Sequence, residues 1–193
     1  MAQNTLIITF TVIQILLVFG IMYYIGKLLL ISLTVAFCRK PWLSPYVPTR
    51  PRFHKHAFQM LNIKPGDRVV DLGSGDAGFL LYGAKRVNAE FVGVEINWFL
   101  VVLSYIKSLF SFKKGSVEIV RSDFLNVPLG RYNKIFIFSM PSQMDFLKPK
   151  FKKELRKGTL ILSVMFPVKA TFLKLVETAG EEKYKLFLYE MTG

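Results

Sequence analysis

The chain has one cysteine, Cys38, in 193 residues, so no disulfide can form within it. Residues 1–26 carry no charged side chain, and none of the 13 Asp+Glu precedes Asp67. Charged residues reach only 20% against 52% hydrophobic, with a mean hydropathy of +0.36. That balance excludes a disordered chain, which lacks the apolar surface to fold. The length argues against two full domains. No internal repeat or low-complexity tract is visible. No basic segment precedes the first apolar run and no small-x-small site follows it, which argues against a cleaved signal peptide. Val35-Ala36-Phe37-Cys38 has the outline of a lipoprotein cleavage site, but Phe37 is too large for its position. The 26 Lys+Arg leave a net charge of +13, so the chain is strongly apolar and strongly basic at once.

The apolar excess is concentrated at the start. Leu6–Gly26 is almost wholly aliphatic or aromatic, and about 20 such residues at 1.5 Å each cross a bilayer core. A buried core helix is the competing reading, although core helices of that length show a polar face. Lys27 interrupts, and Leu28–Cys38 either continues the spanning helix or lies in the interface. Basic residues follow the run (Arg39, Lys40, Arg50, Arg52, Lys55) and none precedes it. The expected protein is therefore single-pass, with its N-terminus outside and the rest on the cytoplasmic or matrix-equivalent side. Residues 1–40 read as the anchor. Residues 41–52, with four prolines, read as a linker, either a stiff spacer or an arm lying over the next domain. Residues 53–193 read as the soluble domain.

Within that domain helical and strand patterns alternate. Helices are expected at 53–61, 77–88, 98–112 and 142–156. Strands are expected at 68–72, 90–96, 117–122, 134–140 and 159–166. Apolar strands separated by helices imply an α/β fold, a Rossmann-like, mostly parallel sheet with helices on both faces. Two β-leaning runs, 169–177 and 183–191, read as an antiparallel hairpin at the sheet edge, with a helix over 170–178 as the alternative.

The chemistry centres on the end of the first strand, Val70-Asp71-Leu72-Gly73-Ser74-Gly75-Asp76-Ala77-Gly78. Glycines at a strand-to-helix turn admit a ligand to the backbone and to free N–H groups. The spacing Gly73-x-Gly75-x-x-Gly78 also fits a dinucleotide fingerprint. Asp71 and Asp76 flank this loop and would repel a pyrophosphate, whereas they suit a cation such as the ammonium and sulfonium of S-adenosylmethionine. Glu95 ends the second strand, where a carboxylate can take ribose hydroxyls of either cofactor. Asp123 ends the third, in Ser122-Asp123-Phe124, where an acid can accept from an adenine amine. Three acids at successive strand ends favour S-adenosylmethionine over a dinucleotide. Turn-capping roles for Asp71 and Asp123 remain the plain alternatives.

At these residues the sequence resembles the small membrane-anchored class I methyltransferases of the ATP-synthase-c-subunit lysine N-methyltransferase type. The likeness runs through Pro45-Tyr46-Val47-Pro48-Thr49, the glycine loop, Gly93-Val94-Glu95-Ile96-Asn97, Pro141-Ser142, Phe151–Leu155 and Phe166-Pro167. Where that family usually has glycine then a basic residue after Asp76, this chain has Ala77, Gly78 and Phe79. The resemblance implies a lysine amine as methyl acceptor. Asp71, Gly73, Gly75, Asp76, Glu95, Asn97, Asp123 and Phe124 are the expected cofactor residues, with Tyr46 and Thr49 closing from the arm. Ser139 and Pro141, in Ser139-Met140-Pro141-Ser142, are the expected acceptor wall, with a plain strand-to-helix turn as the alternative. His54 and His56 are possible bases but read as surface residues.

The expected function is N-methylation of lysine on a membrane-associated protein, with the bilayer and that protein as partners and no nucleic acid or metal. A lipid-amine or small-molecule methyltransferase is the second reading, and a non-catalytic binding protein the third. Lys148, Lys150, Lys152, Lys153, Arg156 and Lys157 form a basic helix, read as a solvated face or as attracted to anionic lipid.

Overall fold

The computed structural model describes residues 2–37, 46–49, 51–180 and 184–193. Two compact units are present, Met1–Arg39 and Lys40–Gly193. Linker residues 41–45, the basic residues Arg39, Lys40 and Arg50, Cys38, and the turn acids Glu181 and Glu182 lie outside the described residues.

The first unit is one helix, α1 (Ala2–Phe37). With no charge before Lys27 and no proline, nothing in the run breaks it, and the helix passes Lys27 without interruption. Ile7–Leu29 has a mean hydropathy of 2.1 over 23 residues and no buried part. At 1.5 Å per residue that stretch measures about 35 Å, long and apolar enough to cross a membrane.

The second unit opens with irregular residues 46–49 and then α2 (Pro51–Met60). Pro51 and Arg52, read as linker from the proline count, belong to this helix. Proline at the first helical position loses no hydrogen bond, and its fixed φ suits the turn. Then come β1 (Arg68–Leu72), α3 (Gly78–Ala84), β2 (Glu90–Glu95), α4 (Trp98–Leu109) and β3 (Ser116–Arg121). A 3-10 turn at Phe124–Asn126 precedes β4 (Lys134–Ile137), α5 (Pro141–Glu154) and β5 (Leu160–Val164). The hairpin β6 (Leu173–Ala179) and β7 (Leu186–Met191) completes the chain.

Seven strands form one sheet in the order β3-β2-β1-β4-β5-β7-β6. Five are parallel, and β7 is antiparallel to both β5 and β6. Alternate residues of each strand feed opposite cores, as the period of two requires. Val69, Phe91, Phe136 and Leu162 pack with α2, α3 and α4 on one face. Val70, Val92, Ile135 and Ile161 pack with α5 on the other. Residues 170–178 are strand and turn, not helix.

Several elements are shorter than the hydrophobic pattern suggests, among them the hairpin strands, which begin at Leu173 and Leu186. The helix expected to 88 ends at Ala84, because Arg86 N–H donates to Gly83 O and the chain tightens to bury Val87 and Ala89. The helix expected to 112 ends at Leu109, leaving Phe110 and Phe112 exposed. Strand β4 stops at Ile137, where its parallel register with β1 and β5 ends, and β5 at Val164, where its antiparallel register with β7 ends.

Candidate active site

The chain order crosses from β3, at one edge, to β4 on the far side of β1. The strand order therefore reverses between the parallel neighbours β1 and β4. Open α/β sheets bind ligands at such a point, outside the carboxyl ends of the strands. The register brings those ends together, with Leu72 level with Val94 and Ile137, and Glu95 level with Arg121. Asp71, Glu95, Asp123 and Ser139 thus gather at one edge from four strands, and all four are buried.

The loop after β1 is shaped by backbone geometry. Gly73 (φ +83°) and Gly75 (φ +55°) adopt left-handed conformations that disfavour other residues. Gly73 and Ser74 both donate N–H to Val94 O, at 2.9 and 3.0 Å, which ties the loop to β2. Ala77 also sits at φ +60°, a left-handed conformation uncommon for a residue with a side chain. It precedes the first turn of α3 without a side-chain cap.

Glu95 locks this loop from below. One carboxylate oxygen accepts the Gly75 N–H at 2.9 Å, and the other accepts the Asn97 N–H at 2.9 Å. Burial raises its carboxyl pKa, opposed by the backbone donors of Asn97, Gly75 and Ile96. Asn97 caps α4, its side chain accepting from Phe99 N–H at 3.0 Å. Asp123 likewise caps the 3-10 turn, accepting from Leu125 N–H at 3.1 Å, so the capping alternative holds for its backbone side. Phe124 is buried beside it in the second core.

Asp71 lies deepest. Burial, with the negative Glu95 and Asp76 nearby, pushes its carboxyl well above the usual range. Among the described residues, Asp71 Oδ1 and Ser74 Oγ are buried without a protein hydrogen-bond partner. An orphaned buried acceptor is costly unless a ligand or water satisfies it. A carboxyl among acids beside a glycine turn fits a cationic ligand, and its unpaired acceptor oxygen suits the ammonium of S-adenosylmethionine.

Tyr46 comes from the arm. Its ring rests on Gly75 so closely that a Cβ there would sit 2.6 Å from Cε2. Its phenol bonds Asp76, and burial and that acid raise its pKa. Thr49 is half-buried three residues on.

Three residues at this site carry no clear sequence signal. His54, read as a surface residue, is 8% exposed. It packs on Gly78, where a Cβ would meet its ring at 2.7 Å, and burial lowers its pKa. Lys107 of α4 pairs with Asp76. Ser104 donates its hydroxyl to Gly75 O at 3.0 Å. Positions 104 and 107 lie one turn apart on the inner face of α4, a periodicity visible only once the burial of that helix is known. His56 is exposed, as read.

Ser139 is buried just beyond β4, and Pro141 is exposed at the first position of α5. On α5 the basic surface is partly neutralised within the helix, Lys148 pairing with Asp145 at 2.6 Å and Lys150 with Glu154 at 2.7 Å. No group of three His, Cys, Asp or Glu among the described residues could hold a metal ion.

This strand order, reversing at an acid-lined glycine turn, defines a class I methyltransferase. A solved RNA methyltransferase from Salinibacter ruber, in complex with S-adenosyl-L-homocysteine, shares the fold with a TM-score of 0.71. It is 22% identical, over 76% of this chain and 94% of its own. The family model of the ANTKMT methyltransferase domain matches residues 71–172, just over half of the chain, and the chain belongs to that family. It is similar to a protein-lysine N-methyltransferase of Saccharolobus islandicus, 29% identical over 75% of this chain and 92% of that one. It is also similar to the ATP-synthase-c-subunit lysine N-methyltransferase of Rattus norvegicus, 32% identical over 64% of this chain. The match spans 56% of the rat protein's length.

Proposed function

We propose that this protein is an S-adenosylmethionine-dependent lysine N-methyltransferase, held at a membrane by α1 and acting on a membrane-associated protein. The observation that carries the cofactor assignment is the unpaired, buried Asp71 Oδ1 beside a loop that Glu95 holds through Gly75 and Asn97. The lysine acceptor rests on the likeness to the archaeal and rat lysine N-methyltransferases.

In this reading Asp71 takes the cofactor's ammonium, which supplies the counter-charge the buried carboxyl lacks. Gly73, Gly75 and Asp76 form the floor, with Tyr46 and Thr49 above. Glu95 and Asn97 serve the ribose side, and Asp123 and Phe124 the adenine side. S-adenosylmethionine would supply an electrophilic methyl group on a sulfonium, transferred in line to the acceptor. The protein's part is position and electrostatics. A lysine amine must be neutral to attack, so the acceptor side must desolvate it or take its proton. Ser139, just beyond β4, and Pro141, at the start of α5, form that side. Residues 1–40 serve as the anchor, 41–50 as the connecting arm and α2 onward, from Pro51, as the enzyme domain. The basic residues after α1 favour an outer N-terminus and an inner enzyme domain.

The test is incubation of membranes and the full chain with S-adenosylmethionine carrying a labelled methyl group. Label in a protein band, mapping to lysine, is expected. Label confined to the lipid extract would replace this reading with methylation of a lipid amine.

A further inference from the structure

Helix α4 buries Leu100 and Val101 like a surface helix, but it also turns an apolar stripe outward. At 100° per residue, Trp98, Phe99, Val102, Tyr105, Ile106 and Leu109 fall within one stripe about 120° wide. These side chains are 40–81% exposed. Ser104, Lys107 and Ser108 occupy the opposite face, turned to the glycine loop or buried. The stripe continues past the helix through Phe110 (87% exposed) and Phe112 (82%). Contiguous apolar surface of this kind marks an interaction site.

The chemistry at its rim selects the occupant. Backbone N–H groups of Lys114 and Gly115 donate to Ala84 O, at 2.7 and 3.0 Å. They bring Lys113 and Lys114 against the end of α3, where Lys85 and Arg86 are exposed. Lys113 itself turns to Ser108, but an aromatic-rich apolar stripe beside the exposed Lys85, Arg86 and Lys114 matches the boundary between anionic headgroups and acyl chains. The same chain supplies a bilayer within reach. Eight residues separate Phe37, the end of α1, from Tyr46, and fully extended the connection spans about 30 Å.

We infer that the outer face of α4, with Phe110 and Phe112, docks in the interface of an anionic bilayer. The catalytic loop then lies one helix diameter from the membrane, because the inner face of the same helix holds Gly75 and Asp76. The tether depends on α1 as a membrane span, whereas the docking face stands on α4 alone.

The probe is Trp98 in the full chain carrying Trp42→Phe, which leaves one indole, since the chain has two tryptophans. The protein is reconstituted with phosphatidylcholine–phosphatidylglycerol vesicles, with and without brominated acyl chains. Expected are co-flotation, blue-shifted Trp98 emission, quenching by brominated lipid and shielding from iodide. Leu109→Glu with Phe110→Glu alters two exposed positions, so the fold survives, as thermal unfolding would verify. That variant should still float through α1, while its lipid-quenched fraction falls roughly tenfold or more. A floating protein whose Trp98 stays open to iodide overturns the docking face but not the anchor. Shielding that grows with protein-to-lipid ratio, without bromine quenching, overturns it in favour of a second copy. A chain that does not float overturns both readings.

Discussion

Replacing Glu95 by glutamine tests the centre of the site without changing its shape. The carboxylate is 8% exposed and satisfies two backbone donors, Gly75 N–H and Asn97 N–H, both at 2.9 Å. An amide has one oxygen, so whichever way it turns, its NH₂ faces one of those donors. One charge-assisted bond is lost, at a cost of about 1.5–3 kcal/mol, and the other weakens to a neutral one. Removing a buried charge offsets part of this in global stability, since burial already raises the Glu95 carboxyl. The loss in loop order is not offset, and the glutamine also withdraws the charged acceptor proposed for the ribose. Cofactor affinity should therefore fall roughly 10- to 150-fold, at 1.4 kcal/mol per factor of ten. Titration calorimetry with S-adenosylmethionine reads the affinity, and urea unfolding of the same sample verifies the fold. An unchanged Kd in a folded variant would refute both the ribose assignment and the link from Glu95 to the loop.

Three further perturbations probe the surroundings. Asp71, raised well above its ordinary 3.8, holds a proton more tightly folded than unfolded, so its contribution is full below pH 3.8 and fades as pH rises through the folded pKa. Asp71→Asn should remove that dependence, and its gain in urea midpoint over the parent should grow with pH; a constant difference would contradict it. Gly75→Ala should cost about 1–2 kcal/mol for its left-handed φ, plus the displacement of Tyr46 from 2.6 Å. Gly66→Ala, at φ +85° in open space, should cost the strain alone, and equal losses in urea unfolding would argue against a seated Tyr46. Lys107→Met breaks an ion pair whose side chains are 41% and 24% exposed. Solvent screening should hold the loss below about 1 kcal/mol, and a larger loss by thermal unfolding would mean a more demanding role for the pair.

Much of the fold is legible because it follows from local pattern. Runs such as Val69-Val70 and Ile135-Phe136-Ile137 are apolar on both faces, which only a doubly covered strand requires. The acids at 71, 95 and 123 are legible because the strand ends before them are. Element ends are less so. Phe110 and Phe112 are as apolar as a helix core, yet no neighbour covers them, and the pattern alone extends α4 through them. Pro51 counts equally as linker or helix start until the helix that follows is seen packed. His54 is misread because its neighbours Arg52, Lys55 and His56 are polar and exposed, while its own position on α2 faces the glycine loop.

By itself the sequence determined the apolar N-terminal helix, the α/β alternation and the acid-flanked glycine turn, since each depends on side-chain type at short range. Which acid does what needed the tertiary structure. Only the parallel register brings residues 71, 95, 123 and 139 to one edge. The folded loop shows Glu95 bound to Gly75, twenty residues away, and Asp71 without a partner. The uncovered outer face of α4 was likewise decided in three dimensions. An apolar helix reads as core until the packing turns its few polar residues inward and leaves its aromatic face uncovered.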